Sequence, residues 1–340
     1  MGRTVNVGVI GVGRIGALHL RHLATRIPEA HVVAVADVRA DIARQQAAAY
    51  GVPEVYEDAM RVVSHPEVEA VVVCSSTDTH ADLIKAAAEA GKDIFCEKPI
   101  DLDLDRIDAA LEAVSDAGVR LMVGFNRRFD RDFRRAKELV EGGAIGKPEL
   151  LHIISRDPSP PPLEYLKVSG GIFLDMTIHD FDMARYLMGS EIVEVYTAGG
   201  VMVDPAIAEA DDLDTVVITL CFANGAIGTI DNSRRAAYGY DQRVEVFGSQ
   251  GVVRTENEYP NTVWLADSQN VRRDLPLHFF MERYVEAYVE EMQTFIRCVA
   301  EDREPPVTGE DGRIAIALGM AARRSYEASR PVSLADHMSS

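Results

Sequence analysis

The run from Val5 to Asp37 constrains this chain more than any other, because it reads strand, glycine-rich turn, helix, strand without interruption: VNVGVI, GVGRIG, ALHLRHLATRI, HVVAVAD. Gly11, Gly13 and Gly16 form a G-x-G-x-x-G, with Arg14 and Ile15 between the last two, directly after an apolar strand and at the opening of a helix. In that setting the first glycine permits a tight turn, the second lets backbone approach a pyrophosphate, and the third lets helix pack on strand. The free N–H groups and positive end of the helix then suit phosphates. Asp37 closes the second strand, 21 residues beyond Gly16. A carboxylate there accepts hydrogen bonds from the ribose hydroxyls of NAD and repels the 2′-phosphate of NADP. Arg39 complicates the reading, since a guanidinium can swing to a phosphate. NAD is the expected cofactor, with NADP use left open. The plain alternative is a glycine-rich turn in an α/β fold that binds no nucleotide.

The alternation of apolar strands and helices continues to RLMVGFNRRFD, which predicts a parallel sheet covered on both faces. Residues 1–124 are expected to form a dinucleotide-binding domain and residues 125–340 a substrate-binding and oligomerisation domain. In parallel sheets ligands bind beyond the carboxyl ends of the strands. Three groups fall there: SSTDTH, with Ser75, Thr77 and His80; Glu97-Lys98-Pro99; and Asn126-Arg127. Lys98, between an acid and a proline, has a restricted backbone that aims its side chain, and Glu97 can orient it. A solvated loop lysine is the competing reading.

Beyond Arg127 the pattern changes to one charged helix, DFRRAKELVEGGAIG, and then strands arranged as hairpins, the clearest about Asn224-Gly225. These predict an open, mainly antiparallel sheet whose half-apolar outer face suits pairing with another subunit. Two long helices close the chain. Between the strands lies GGIFLDMTIHDFDMAR, with no helix breaker from Gly171 to Gly189. As one helix it would be apolar nearly all round, with Asp175, His179, Asp182 and Tyr186 in a single polar stripe. A buried acid–imidazole stripe either satisfies itself or faces a polar cavity. The preceding proline-rich loop, which starts at Arg156 and Asp157, either connects at the surface or walls that cavity.

Asp plus Glu (54) exceed Lys plus Arg (35), a net charge of −19, which argues against nucleic acid or anionic membrane as partner. The four cysteines show no metal-ligand spacing and are expected as free thiols. No apolar run approaches a membrane span and no leader is visible, so a cytoplasmic protein is expected.

Taken together, the G-x-G-x-x-G, the EKP at Glu97–Pro99 and the D-x-x-x-H at Asp175–His179 resemble the Gfo/Idh/MocA oxidoreductases over essentially the whole chain. GFNRRFD, SGGIFLDMTIHDFDMAR and YGYDQR are similar to the inositol 2-dehydrogenases within that family. The resemblance implies an α/β protein with an N-terminal Rossmann domain, a C-terminal α/β domain on an open sheet, and a homotetramer assembled through those sheets. It implies Lys98, Asp175 and His179 as the catalytic set, and Arg127, Asp157 and Tyr240 in the substrate pocket. The implied reaction is NAD-dependent oxidation of myo-inositol to the 2-keto inositol, scyllo-inosose. Oxidation of another polyol or sugar, or a non-catalytic NAD(H) sensor, are the rivals. Chemically, a histidine suits the general base for a secondary alcohol, an aspartate one turn earlier can orient it, and a lysine can favour the developing alkoxide. No metal is needed. Asp37→Ala is expected to weaken NAD more than NADP in binding titrations; an equal loss for both would remove Asp37 from its assigned role.

Overall fold

The structure, a computed structural model, describes residues 3–335. Its contacts divide the chain into two compact units, one holding residues up to Phe129 with Glu286–Ile316, the other Asp130–Val285 with residues from Ala317 onward.

In the first unit, β1 (Val5–Ile10), β2 (Ala30–Ala36), β3 (Glu54–Tyr56), β4 (Ala70–Val73), β5 (Asp93–Glu97) and β6 (Leu121–Gly124) form one parallel sheet in the order β3-β2-β1-β4-β5-β6. β4 and β6 are buried along their whole length, which accounts for their unbroken apolar runs. The connections carry α1 (Arg14–Arg26), α2 (Ala40–Tyr50), α3 (Ala59–Val63), α4 (His80–Glu89) and α5 (Leu104–Ala117). Asp58 and Asp103 cap α3 and α5 by accepting from backbone N–H groups. Gly51 and Gly118 end α2 and α5 in the left-handed region. A Cβ on Gly16 would run into the Gly11 carbonyl oxygen; that contact sets how closely α1 lies on β1.

The second unit opens with α6 (Arg131–Glu141), capped by Asp130. Its sheet contains β7 (Pro148–Arg156), β8 (Ile192–Gly200), β9 (Thr215–Phe222), β10 (Ile227–Ser233), β11 (Asp241–Gly248) and β12 (Gly251–Arg254), closed at one edge by the short Val332–Ser333 strand. The order is β12-β11-β7-β10-β9-β8 and then that strand. Every pairing is antiparallel except β7 with β10. The expected hairpins are present, including the small Trp264–Ala266 and Val271–Arg273 pair. Buried Val216, Ile218, Leu220 and Phe222 alternate with more exposed neighbours along β9, so one face of the sheet is core. The outer face exposes Tyr196, Val217, Ile227 and Phe247.

The Gly171–Met188 stretch is not one helix. It is α7 (Gly171–Asp175) followed by α8 (Ile178–Met188), with a joint at Met176-Thr177. At the joint Thr177 N reaches back five residues to Ile172 O (2.8 Å), and Thr177 Oγ1 bonds the same carbonyl. A β-branched residue whose hydroxyl competes for a backbone acceptor has opened the turn. The single polar stripe is therefore broken: Asp182 is buried in α8, while Asp175 and His179 sit on either side of the joint. The joint is anchored by Asn232 of β10, which is fully buried. Its Nδ2 donates to Asp180 Oδ2 (2.8 Å) and to Ser155 O (3.3 Å), and its Oδ1 accepts from Thr177 Oγ1 (2.6 Å).

Two long helices follow, α9 (Val285–Glu301) and α10 (Gly309–Ala328). The sequence reading counts everything after residue 124 with the second domain, whereas Glu286–Ile316 clusters with the first unit. The cause is side-chain packing: Phe295 packs on Phe95 (ring centroids 5.8 Å), Tyr288 meets the His19 ring edge-on (5.6 Å), and Asp311 pairs with Arg128 (2.9 Å).

Asn232→Ala is expected to lower unfolding free energy by about 2–3 kcal/mol, the cost of removing the partners of buried polar groups, in urea denaturation. A loss under about 0.5 kcal/mol, typical of an indifferent surface site, would show that the joint is held by other contacts.

Candidate active site

In the first unit the residues of interest gather where the strands end. Gly11 has φ +83°, and a Cβ there would meet Cys74 O and Ser75 N at 2.6 Å, so the turn after β1 accepts only glycine. Val12 N donates to Asp37 Oδ2 and Arg39 N to Asp37 Oδ1, both at 2.9 Å. The carboxylate that ends β2 is thus held by the glycine turn itself, with Arg39 Nε 3.5 Å away. A cavity of about 560 Å³ opens beside it, lined by Gly11, Gly13, Asp37, Arg39, Ser75 and Thr79 among others. A Cβ on Gly13 would meet nothing nearer than Arg39 Nη2 at 3.7 Å, so this backbone stands open to a ligand phosphate. These observations fit a dinucleotide.

The remaining expected cofactor residues take different positions. Gly16 lies behind the turn, Arg14 is exposed and Ile15 half-buried on the first turn of α1. Thr77 begins a 3₁₀ turn, and its neighbours Ser76 and Thr79, in the same SSTDTH run, line the cavity instead. His80 is buried and braces two loops, with Nδ1 2.8 Å from Pro99 O and Nε2 3.0 Å from Ser75 O. Lys98 follows the end of β5 and is half-buried, joined to Pro99 by a cis peptide. Glu97 Oε1 lies 2.6 Å from His19 Nε2. Arg127 is buried in the 3₁₀ turn Asn126–Phe129 just after β6.

The second unit carries the acid and imidazole. Asp175 ends α7, and His179 is the second residue of α8, both half-buried. Arg234, 1% exposed, lies between two carboxylates, with Nη1 3.6 Å from Asp175 Oδ2 and Nη2 3.6 Å from Asp212 Oδ2. Tyr165 donates to Asp175 Oδ1 (3.0 Å) and Ile172 N to Asp212 Oδ1 (2.8 Å). Burial pushes the Asp212 carboxyl above its usual range, against the Ile172 N–H and the Arg234 charge. The register explains why these groups meet. Arg156 on β7 pairs with Ser233 on β10 and with Asp241 on β11, so Asp157, Arg234 and Tyr240 all leave the sheet at one end. Asp157 is fastened by its backbone to Ser233 O and Ala236 N. Tyr240 is buried edge-on against Tyr284, whereas the Tyr238 hydroxyl donates to Asp241. Arg234, Asp212 and Tyr165 carry no signal in the sequence: Asp212 and Arg234 lie far along the chain from Asp175, and Tyr165, ten residues before it, stands in no recognisable motif.

Family models match both units: an oxidoreductase family with an NAD-binding Rossmann fold over residues 5–125, and the Gfo/Idh/MocA C-terminal domain over residues 133–254. The chain belongs to the Gfo/Idh/MocA oxidoreductase family. Within the family it is 52% identical over 330 residues to the myo-inositol 2-dehydrogenase of Thermotoga maritima, covering 97% of this chain and 98% of that one. It is 49% identical to the inositol 2-dehydrogenase of Rhizobium meliloti, covering 98% of this chain and all of that one. The crystal structure of a Lactobacillus casei myo-inositol dehydrogenase in complex with NAD(H) and myo-inositol superposes with a TM-score of 0.87 at 27% identity, covering 97% and 96% of the two chains. As a Gfo/Idh/MocA oxidoreductase the protein uses NAD as cofactor. Among the described residues no helix is long and apolar enough to cross a membrane, and all four cysteines are free.

The raised Asp212 carboxyl gives a signed prediction. A carboxyl whose folded pKa lies above its unfolded value contributes stability that is complete at low pH and lost as pH rises through the folded pKa. Asp212→Asn has no such loss and still offers an oxygen to Ile172 N. The melting temperature of the variant minus that of the parent is expected to become more positive between about pH 4 and about pH 7; a difference that is flat or falls would show that Asp212 stays ionised throughout.

Proposed function

We propose that the protein oxidises myo-inositol to the 2-keto inositol with NAD, in the cytoplasm, as a homotetramer. The observation that carries the reaction is the 52% identity along the whole chain to a myo-inositol 2-dehydrogenase, with Lys98, Asp175 and His179 all present. Bound NAD supplies the acceptor for the hydride. His179 takes the hydroxyl proton at an imidazole nitrogen, acting as general base. Asp175 steadies the protonated ring, and Arg234 and Tyr165 hold Asp175 in place. Lys98 donates a hydrogen bond to the substrate oxygen as negative charge develops there. Arg127, Asp157 and Tyr240 bind the remaining hydroxyls. On the cofactor side, Gly11, Gly13 and the first turn of α1 with Arg14, Ile15 and Gly16 hold the pyrophosphate. Asp37 takes the ribose, Arg39 and Ser75 line the cavity, and Thr77, His80 and Glu97 support it. The tetramer rests on apolar side chains exposed on the outer sheet face, with Trp264 of the small hairpin 63% exposed. The cytoplasmic assignment rests on the acidic charge balance and unpaired cysteines.

Purified protein with NAD and a panel of myo-inositol, scyllo-inositol and aldoses is expected to produce NADH, with myo-inositol the best substrate. His179→Ala or Lys98→Ala is expected to lower turnover about 10²–10⁴-fold, the worth of general acid–base catalysis. No signal with any polyol would leave an NAD-binding sensor, and unimpaired variants would remove these residues from the chemistry.

A further inference from the structure

A buried cluster inside the first unit is used by none of the steps above. Glu291, on α9, is completely buried, and neither of its carboxylate oxygens has a hydrogen-bond partner. One of its oxygens, a ring nitrogen of His19 and an oxygen of Glu97 lie within 4.8 Å of one another. His19, equally buried, meets Glu97 through Nε2 at 2.6 Å, which leaves its Nδ1 without a partner. Around the cluster stand His22 from α1, Cys74 after β4, Cys96 from β5, and Tyr288 on α9. Burial pushes the His22 imidazole down to about 4, with His19 adding to the effect, so His22 brings no charge at neutral pH. No ion pair joins Glu291 to any cation among the described residues. An ionised carboxylate so placed would cost several kcal/mol. The neutral acid has a proton to give, and a ring nitrogen of His19 and an oxygen of Glu97 lie within 4.8 Å of one of its oxygens.

We propose that Glu291 is a positioning residue: in its acid form it closes the His19–Glu97 cluster and so fixes the end of β5, the segment that carries Lys98. Burial, with the Glu97 charge adding to it, holds the Glu291 carboxyl well above the usual carboxylate range. Glu97 has little freedom to answer otherwise. It pairs in register with Gly124, and a Cβ on Gly124 would already meet Glu97 Oε2 at 2.9 Å. The alternative occupant of three such ligands is a divalent cation, and the test separates the two.

The consequence for turnover rests on the reading of Lys98 given above; the proton on Glu291 does not. Infrared difference spectra of the parent against Glu291→Gln at pH 8, without substrate, are expected to show a protonated-carboxyl band in the parent that the variant lacks. Absence of that band, or stoichiometric zinc or manganese in the purified protein by elemental analysis, overturns the proposal. Glu291→Gln, which can donate through its amide, is expected to keep kcat within about threefold. Glu291→Leu is expected to lose about a hundredfold in kcat with little change in KM, the cost of an ångström-scale misplacement, and to alter the pH dependence of kcat. A Glu291→Leu protein that folds and turns over normally, or a Glu291→Gln protein as impaired as Glu291→Leu, also overturns it. If no polyol is oxidised at all, the dehydrogenase reading fails by itself while the infrared band and metal content still decide the state of Glu291.

Discussion

The amide of Asn232 joins three elements at once: strand β10 that carries it, the neighbouring strand β7 through Ser155 O, and the helical joint through Thr177 and Asp180. An amide has one acceptor and two donors, and here both ends are engaged in a dry interior, where geometry is narrow and an unmade bond is expensive. Asp175 and His179 flank this joint, so their spacing is set by the sheet rather than by helical periodicity. Side chains placed at element ends and held from below by packed strands are positioned with better precision than on a free loop.

Charge follows the same logic. Arg234 is shared between Asp175 and Asp212, and neither separation is short enough for a hydrogen bond. The guanidinium therefore acts through its field as much as through contact, in a surrounding where water screens little. Fixed charge of this kind costs folding free energy, since buried ion pairs rarely repay their desolvation. Retaining it suits the orienting role proposed for Asp175.

Much of this was readable along the chain. The glycine turn, Asp37 and the apolar strands are local patterns, each determined by neighbours within a few residues, and the structure places Gly11, Gly13 and Asp37 around one cavity. The hairpins were readable for the same reason, Asn224-Gly225 most of all. The continuous helix through Asp175 and His179 was not: periodicity cannot register that Thr177 would turn its hydroxyl to Ile172 O. Arg234, Asp212 and Glu291 were equally out of reach, because nothing beside them in sequence distinguishes them. Their character comes from burial and from partners brought in by strand register or by a returning helix. Even the half-buried Lys98 drew attention only through its flanking residues.

The return of Glu286–Ile316 to the first unit bears on how the protein is made. Phe95, His19 and Arg128 belong to the N-terminal stretch, yet the rings and the carboxylate they pack against are encoded near the end. During synthesis the nucleotide-binding sheet emerges first and domains tend to fold in that order, but here an apolar flank follows Asp130–Val285 of the second unit. Until Tyr288 and Phe295 are made, His19 and Phe95 lack the rings they pack against in the finished fold. A protein built this way couples the soundness of its cofactor fold to residues that lie beyond most of the second unit, so that the N-terminal stretch alone lacks part of its own packing.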